Sequence, residues 1–77
     1  MSRNNQIVRV LNLLFLLCRY RKVGLGIKKI CELLSVSRRT LYRDLDALKE
    51  VGIEIEHVKD EADELRVFLK KVPILLE

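Results

Sequence analysis

The chain has 77 residues, of which 15 are Lys or Arg and 11 are Asp or Glu, for a formal net charge of +4. That length makes one small domain and excludes a large enzyme with a deep cleft. With 49% hydrophobic and 34% charged residues the chain is globular rather than disordered, and no apolar run approaches the roughly 20 residues that span a bilayer.

The charge is segregated. Residues 1–49 carry 11 basic and 3 acidic side chains, a net of +8, and residues 50–77 carry 4 and 8, a net of −4. Such asymmetry points to a polyanionic partner, nucleic acid being the usual one, against a plain solvated helical surface.

Ile7, Val10, Leu11, Leu14, Leu17 and Cys18 recur at helical spacing and predict a first helix from about Asn4 to Arg21, capped by Asn4 or Asn5. Asn12 interrupts the apolar stretch and no small-residue cleavage site follows, so the segment reads as a core helix rather than a signal peptide. Val8, Leu13, Phe15 and Leu16 broaden the apolar surface to most of the circumference; Leu13, Phe15 and Leu16 exceed what one core face needs and complete the core or form a dimer seam. Arg19, Arg21 and Lys22 suit the helix C-terminus, and Gly24 and Gly26 break it. Cys18 and Cys31, both among apolar neighbours, are expected to be reduced core residues.

Ile27, Ile30, Cys31 and Leu34 line one face of a second helix, Ile27 to Leu34, with Lys28, Lys29 and Glu32 on the other. Ser35, Val36 and Ser37 form a compact turn with Val36 inward. Ser37 caps a third helix whose buried stripe is Leu41, Leu45 and Leu48, and Gly52 stops it. The period then changes to two. Ile53 to Val58 and Leu65 to Lys70 read as strands of an antiparallel hairpin, joined by the polar segment Lys59 to Asp63. Pro73 ends the second strand. The expected fold class is α+β, mostly α: three helices followed by a two-stranded hairpin, over residues 1–72. Residues 73–77 are a tail or the start of a linker.

The informative segment is Ile27 to Leu48, a short helix, a three-residue turn and a helix opened by a cap and two arginines. This is helix-turn-helix geometry, in which the second helix enters the major groove of DNA. Its free N–H groups and dipole attract phosphate. Arg38 and Arg39 add bidentate contacts to guanine edges or phosphate. Thr40 and Tyr42 bring hydroxyls, and Arg43 follows Arg39 one turn on. Lys28 and Lys29 sit where the preceding helix crosses the DNA backbone.

The run Ser37-Arg38-Arg39-Thr40-Leu41-Tyr42-Arg43-Asp44-Leu45, continued by Glu50-Val51-Gly52-Ile53, resembles the winged helix-turn-helix of bacterial transcription regulators. Within these it is most similar to the N-terminal domain of the WYL-domain and DeoR-type regulators, over roughly residues 3–70. The resemblance implies a DNA-binding domain with Ser37, Arg38, Arg39, Thr40, Tyr42 and Arg43 at the groove, and a hairpin that serves as the wing. Many such regulators continue into a C-terminal sensing domain. Three positions depart from the pattern. Gly26 stands where Ser or Thr would cap the second helix. Ser35 replaces the turn glycine, so the backbone there is expected to be accommodated differently. The wing, Lys59 to Glu64, has four acids and no glycine, so phosphate repels its tip; Lys59 and Arg66 are the residues there able to reach DNA.

The expected function is therefore sequence-specific binding of double-stranded DNA in transcriptional regulation, in the cytoplasm, with a homodimer on repeated half-sites as the expected form for tight binding. The alternative is a winged-helix protein-interaction module using the acidic hairpin and exposed apolar surface. An enzyme is not expected: no nucleophile–base pair, metal-ligand spacing or phosphate-binding glycine loop is present, and His57 stands alone. Asp44 and Asp46 share no helix face, and Asp44 reads as a local partner for Arg or Lys. No cofactor, metal or membrane partner is implied.

Overall fold

Each stretch of helical apolar period in the sequence forms a helix, and each alternating stretch a strand. A computed structural model describes residues 5–72. The order is α1 (Asn5–Arg19), β1 (Leu25–Gly26), α2 (Ile27–Leu34), α3 (Arg38–Glu50), β2 (Glu54–Lys59) and β3 (Leu65–Lys71). The result is an α+β winged-helix arrangement, three helices followed by an antiparallel hairpin. The start of α1 assigned to Asn4, and the tail from Pro73, lie outside the described residues.

The hairpin is part of a larger sheet than expected. β1 joins it to give a three-stranded antiparallel sheet in the order β1-β3-β2. Leu25 pairs with Val67 and Gly26 with Arg66. The glycines that break α1 thus also supply a strand, too short for any period to reveal. Gly24 makes the entry possible. Its N–H donates to the Tyr20 carbonyl at 2.7 Å, and its φ of 73° is one that side chains disfavour. A Cβ there would stand 2.7 Å from the Phe68 ring.

The core is where the helices meet the sheet. Leu13, Leu17, Ile27, Ile30, Leu41, Leu45 and Val67 are fully buried, with Val36 packed against them from the turn. α3 and the strands bury the residues their periods predict. α1 does not. Its core face is Leu13 and Leu17, flanked by Val10, Leu14 and Leu16, whereas Ile7, Leu11 and Phe15 are exposed. Cys18 is also exposed and Cys31 half-buried; both are free thiols, but Cys18 is not a core residue. The cause is that α1 is apolar on two opposite faces, so spacing alone does not identify the one that packs.

Arg9 identifies it. Arg9, Leu13 and Leu17 fall at i, i+4, i+8 on the packed face. Asp44, on the stripe with Leu41, Leu45 and Leu48, is completely buried and receives Arg9 Nε and Nη2 at 2.5 and 3.1 Å. Asp44 is therefore a long-range anchor between α1 and α3, not the partner of a neighbouring cation. Its carboxylate, by hydrogen bond and then by charge, raises the Arg9 pKa.

The turn between α2 and α3 keeps the geometry that a glycine would supply. Ser35 itself adopts the left-handed conformation, φ 57° and ψ 48°, and its N–H and that of Val36 close on the Glu32 and Cys31 carbonyls. A side chain in this conformation costs about 1–2 kcal/mol. Ser35→Gly is accordingly expected to stabilise the fold by about 0.5–1 kcal/mol net of glycine's backbone entropy. In a thermal melt followed by circular dichroism this is a rise of roughly 4 °C. An unchanged or lower melting temperature would contradict the strain.

Candidate nucleic-acid interface

The surface of α3 opposite its buried stripe carries the residues of interest. Ser37 is the N-cap. Its Oγ accepts the Thr40 N–H and donates to Thr40 Oγ1, both at 3.2 Å. These two hydroxyls are therefore used in fixing the helix start. Arg38 and Arg39 occupy the first turn, exposed, and Arg43 follows one turn later. Among the described residues no carboxylate lies within ion-pair distance of Arg38, Arg39 or Arg43, whereas Arg9, Lys59, Arg66 and Lys70 all have acidic partners.

Tyr42 points towards β2. Its ring centroid is 6.2 Å from that of His57, tilted by 38°. His57 Nε2 is buried without a hydrogen-bond partner. Burial, and then the charge of Lys49, push the His57 pKa below its ordinary value. Lys49 is thus a member of the same basic face. It stands seven residues after Tyr42, two helical turns, and that spacing was the signal for it in the sequence. Asp46 interrupts the face between them.

Lys28 and Lys29 are exposed in the first turn of α2, but they are not brought to the α3 cluster. They line a shallow groove with Gly26, Glu32, Glu64 and Arg66, at the β1 edge of the sheet. Tyr42 lies at the β2 edge. Gly26, the N-cap of α2, offers no side-chain bond.

The acidic wing tip is built as a turn. Asp60 Oδ1 accepts the N–H groups of Ala62 and Glu64 at 2.9 and 3.0 Å, and Asp63 takes φ 64°. Lys59 pairs with Asp63 at 3.4 Å and Arg66 with Asp60 at 3.5 Å. Arg66 also donates to the carbonyls of Val23 and Gly24, at 3.3 and 3.1 Å. Its guanidinium is thus engaged inside the fold. The Glu64 amide, with help from the Ala62 amide and Arg66, lowers the Asp60 pKa against the opposing effect of partial desolvation. A carboxyl with a depressed folded pKa stabilises above its unfolded pKa, about 3.9, and that contribution disappears as the pH falls through the lower folded value. The amides of Ala62 and Glu64 are therefore expected to lose hydrogen-exchange protection below about pH 3.9, before the core amides of α3 do. Equal loss at both places would show that the turn does not depend on the carboxylate.

Among the described residues there is no cluster of three metal-ligating side chains, and no helix is long and apolar enough to cross a membrane. A family model described as an HTH domain matches residues 9–60. No curated protein and no solved structure gives a match. The matched stretch runs from the anchoring arginine of α1, through α2, the turn and α3, to the wing. On that match and this geometry, the chain belongs to the family of helix-turn-helix domains, DNA-binding modules that act in regulation.

Proposed function

We propose that the domain binds double-stranded DNA sequence-specifically as a transcription regulator, with α3 in the major groove. The observation that carries this is the exposed set Arg38, Arg39 and Arg43, without an ion pair among the described residues, on a helix whose other face is locked by Asp44. Arg38 and Arg39, beside the dipole end fixed by Ser37, read base edges or hold phosphates. Tyr42 and Lys49 extend the contact towards β2. Lys28 and Lys29, offset to the β1 edge, meet the flanking phosphates. The Ser37–Leu45 run supports a place among bacterial regulators of the WYL and DeoR type. One domain offers few contacts, so tight binding takes two copies on repeated half-sites.

The test is an anisotropy titration of a labelled random duplex across a salt series. Affinity should fall steeply with salt, with operator selection following. A folded protein that does not bind at low salt would turn the reading to a protein-interaction module centred on the acidic hairpin.

A further inference from the structure

Among the described residues, none packs over the outer face of α1. At about 100° per residue, Ile7, Val8, Leu11, Phe15 and Cys18 fall within about 100° of arc, centred opposite Leu13. Ile7 and Phe15 are each 64% exposed, Val8 55% and Leu11 48%. The stripe has no charge. Arg9 is the one ionic residue of α1 before Arg19, and it is turned inward to Asp44. In a chain that is 34% charged, an uncharged face of this length is an exception. It continues on both sides. Phe15 borders a groove shared with Leu33 of α2 and edged by Arg19, and Ile7 and Leu11 border one shared with Val51 and edged by Glu50, so charge enters only at the rims.

We infer that this face pairs with the same face of a second copy of the chain, across a two-fold axis near Leu11. Size and chemistry select that occupant. The four large side chains together expose roughly 400 Å² of apolar surface, the scale at which a contiguous patch marks an interaction site. Two copies would remove about 800 Å², close to the apolar share of a standard interface of about 1,600 Å². An uncharged stripe offers nothing to an acidic or basic partner but is complementary to itself, as a two-fold interface requires. Pairing here leaves α3 accessible, because α1 meets α3 through its opposite face. The inference does not depend on DNA binding.

Sedimentation equilibrium of the full chain tests it. The expected species at about 0.1 mM is a dimer, twice the 9.0 kDa chain mass. Leu11→Glu places a carboxylate from each copy at the axis. It should weaken dimerisation by about 100-fold or more, with the melting curve of the monomer preserved. With the native Cys18 and Cys31 replaced by serine, Leu11→Cys provides an arm that keeps the face apolar: mild oxidation should yield a covalent dimer at low protein concentration, which a Glu61→Cys control on the wing does not match. A monomer at about 1 mM overturns the inference, as does a dimer indifferent to Leu11→Glu. A monomer that dimerises only after removal of residues 73–77 also overturns it, by making Ile74, Leu75 and Leu76 the occupant.

Discussion

Charge reversal at Arg38 and Arg39 together is expected to reduce DNA affinity by at least about 100-fold, each lost contact being worth roughly 1–3 kcal/mol before the added repulsion. The fold should be unaffected, since both side chains are exposed, neither has an ion pair among the described residues, and the Ser37 cap is untouched. The single alanine variants separate the roles. An arginine that holds phosphate weakens all sequences alike and flattens the salt dependence by about 0.9 in log–log slope. One that reads a base leaves the slope nearly unchanged and relaxes preference at one position. Neutralising Glu61 and Glu64 in the wing should change affinity less than about 3-fold, because screened charges away from the contact contribute little. Wild-type affinity in the reversed double variant, measured by the same titration, would remove α3 as the DNA-reading element.

Arg9→Met is expected to be the most damaging conservative change in the fold. It leaves Asp44 completely buried with no cation, a loss of about 3–5 kcal/mol. A domain of this size has a total stability on the order of 4–12 kcal/mol, so the variant should lose between about a quarter and all of it. Asp44→Leu should be milder. Arg9, 23% exposed at its side chain, can turn to water, and leucine completes the stripe of Leu41, Leu45 and Leu48. The double variant Arg9→Met/Asp44→Leu should recover most of the loss, because an apolar pair of similar volume often equals a buried ion pair. Urea unfolding of the three variants measures the coupling. Equal and additive losses from the two single changes would mean that the pair does not act as a unit.

The elements most legible from sequence are those with one apolar face. α3 and β3 each bury one face, so their periods identify both the element and its orientation. The arginines then fall outward by geometry, and the structure has them there. α1 is apolar on both sides, and the stripe of Ile7, Leu11 and Cys18 is genuine helical spacing that faces away from the core. What resolves the ambiguity is the pairing of a buried acid on one helix with a base on another, a tertiary fact. Asp44 was visible as the acid filling the i+3 place of a leucine stripe, but its partner lies 35 residues away. β1 is not legible in the sequence because two residues carry no period and owe their conformation to β3. For the same reason Lys28 and Lys29 could not be placed relative to α3: the β1–β3 pairing sets their position. Ser35 shows that a backbone requirement can persist without the residue that usually meets it.

The threefold grip of Arg66, on Val23, Gly24 and Asp60, makes the wing a fixed spacer rather than a feeler. It fastens the hairpin tip to the loop that enters β1, so tip, sheet and the start of α2 move together. For a domain docked through α3 as proposed, the wing then holds its acidic tip at a set distance from the duplex. It does not follow a groove that widens or narrows along the sequence. The adjustment falls to the DNA, and sites that bend cheaply towards this rigid outline gain an advantage at base pairs that no side chain touches.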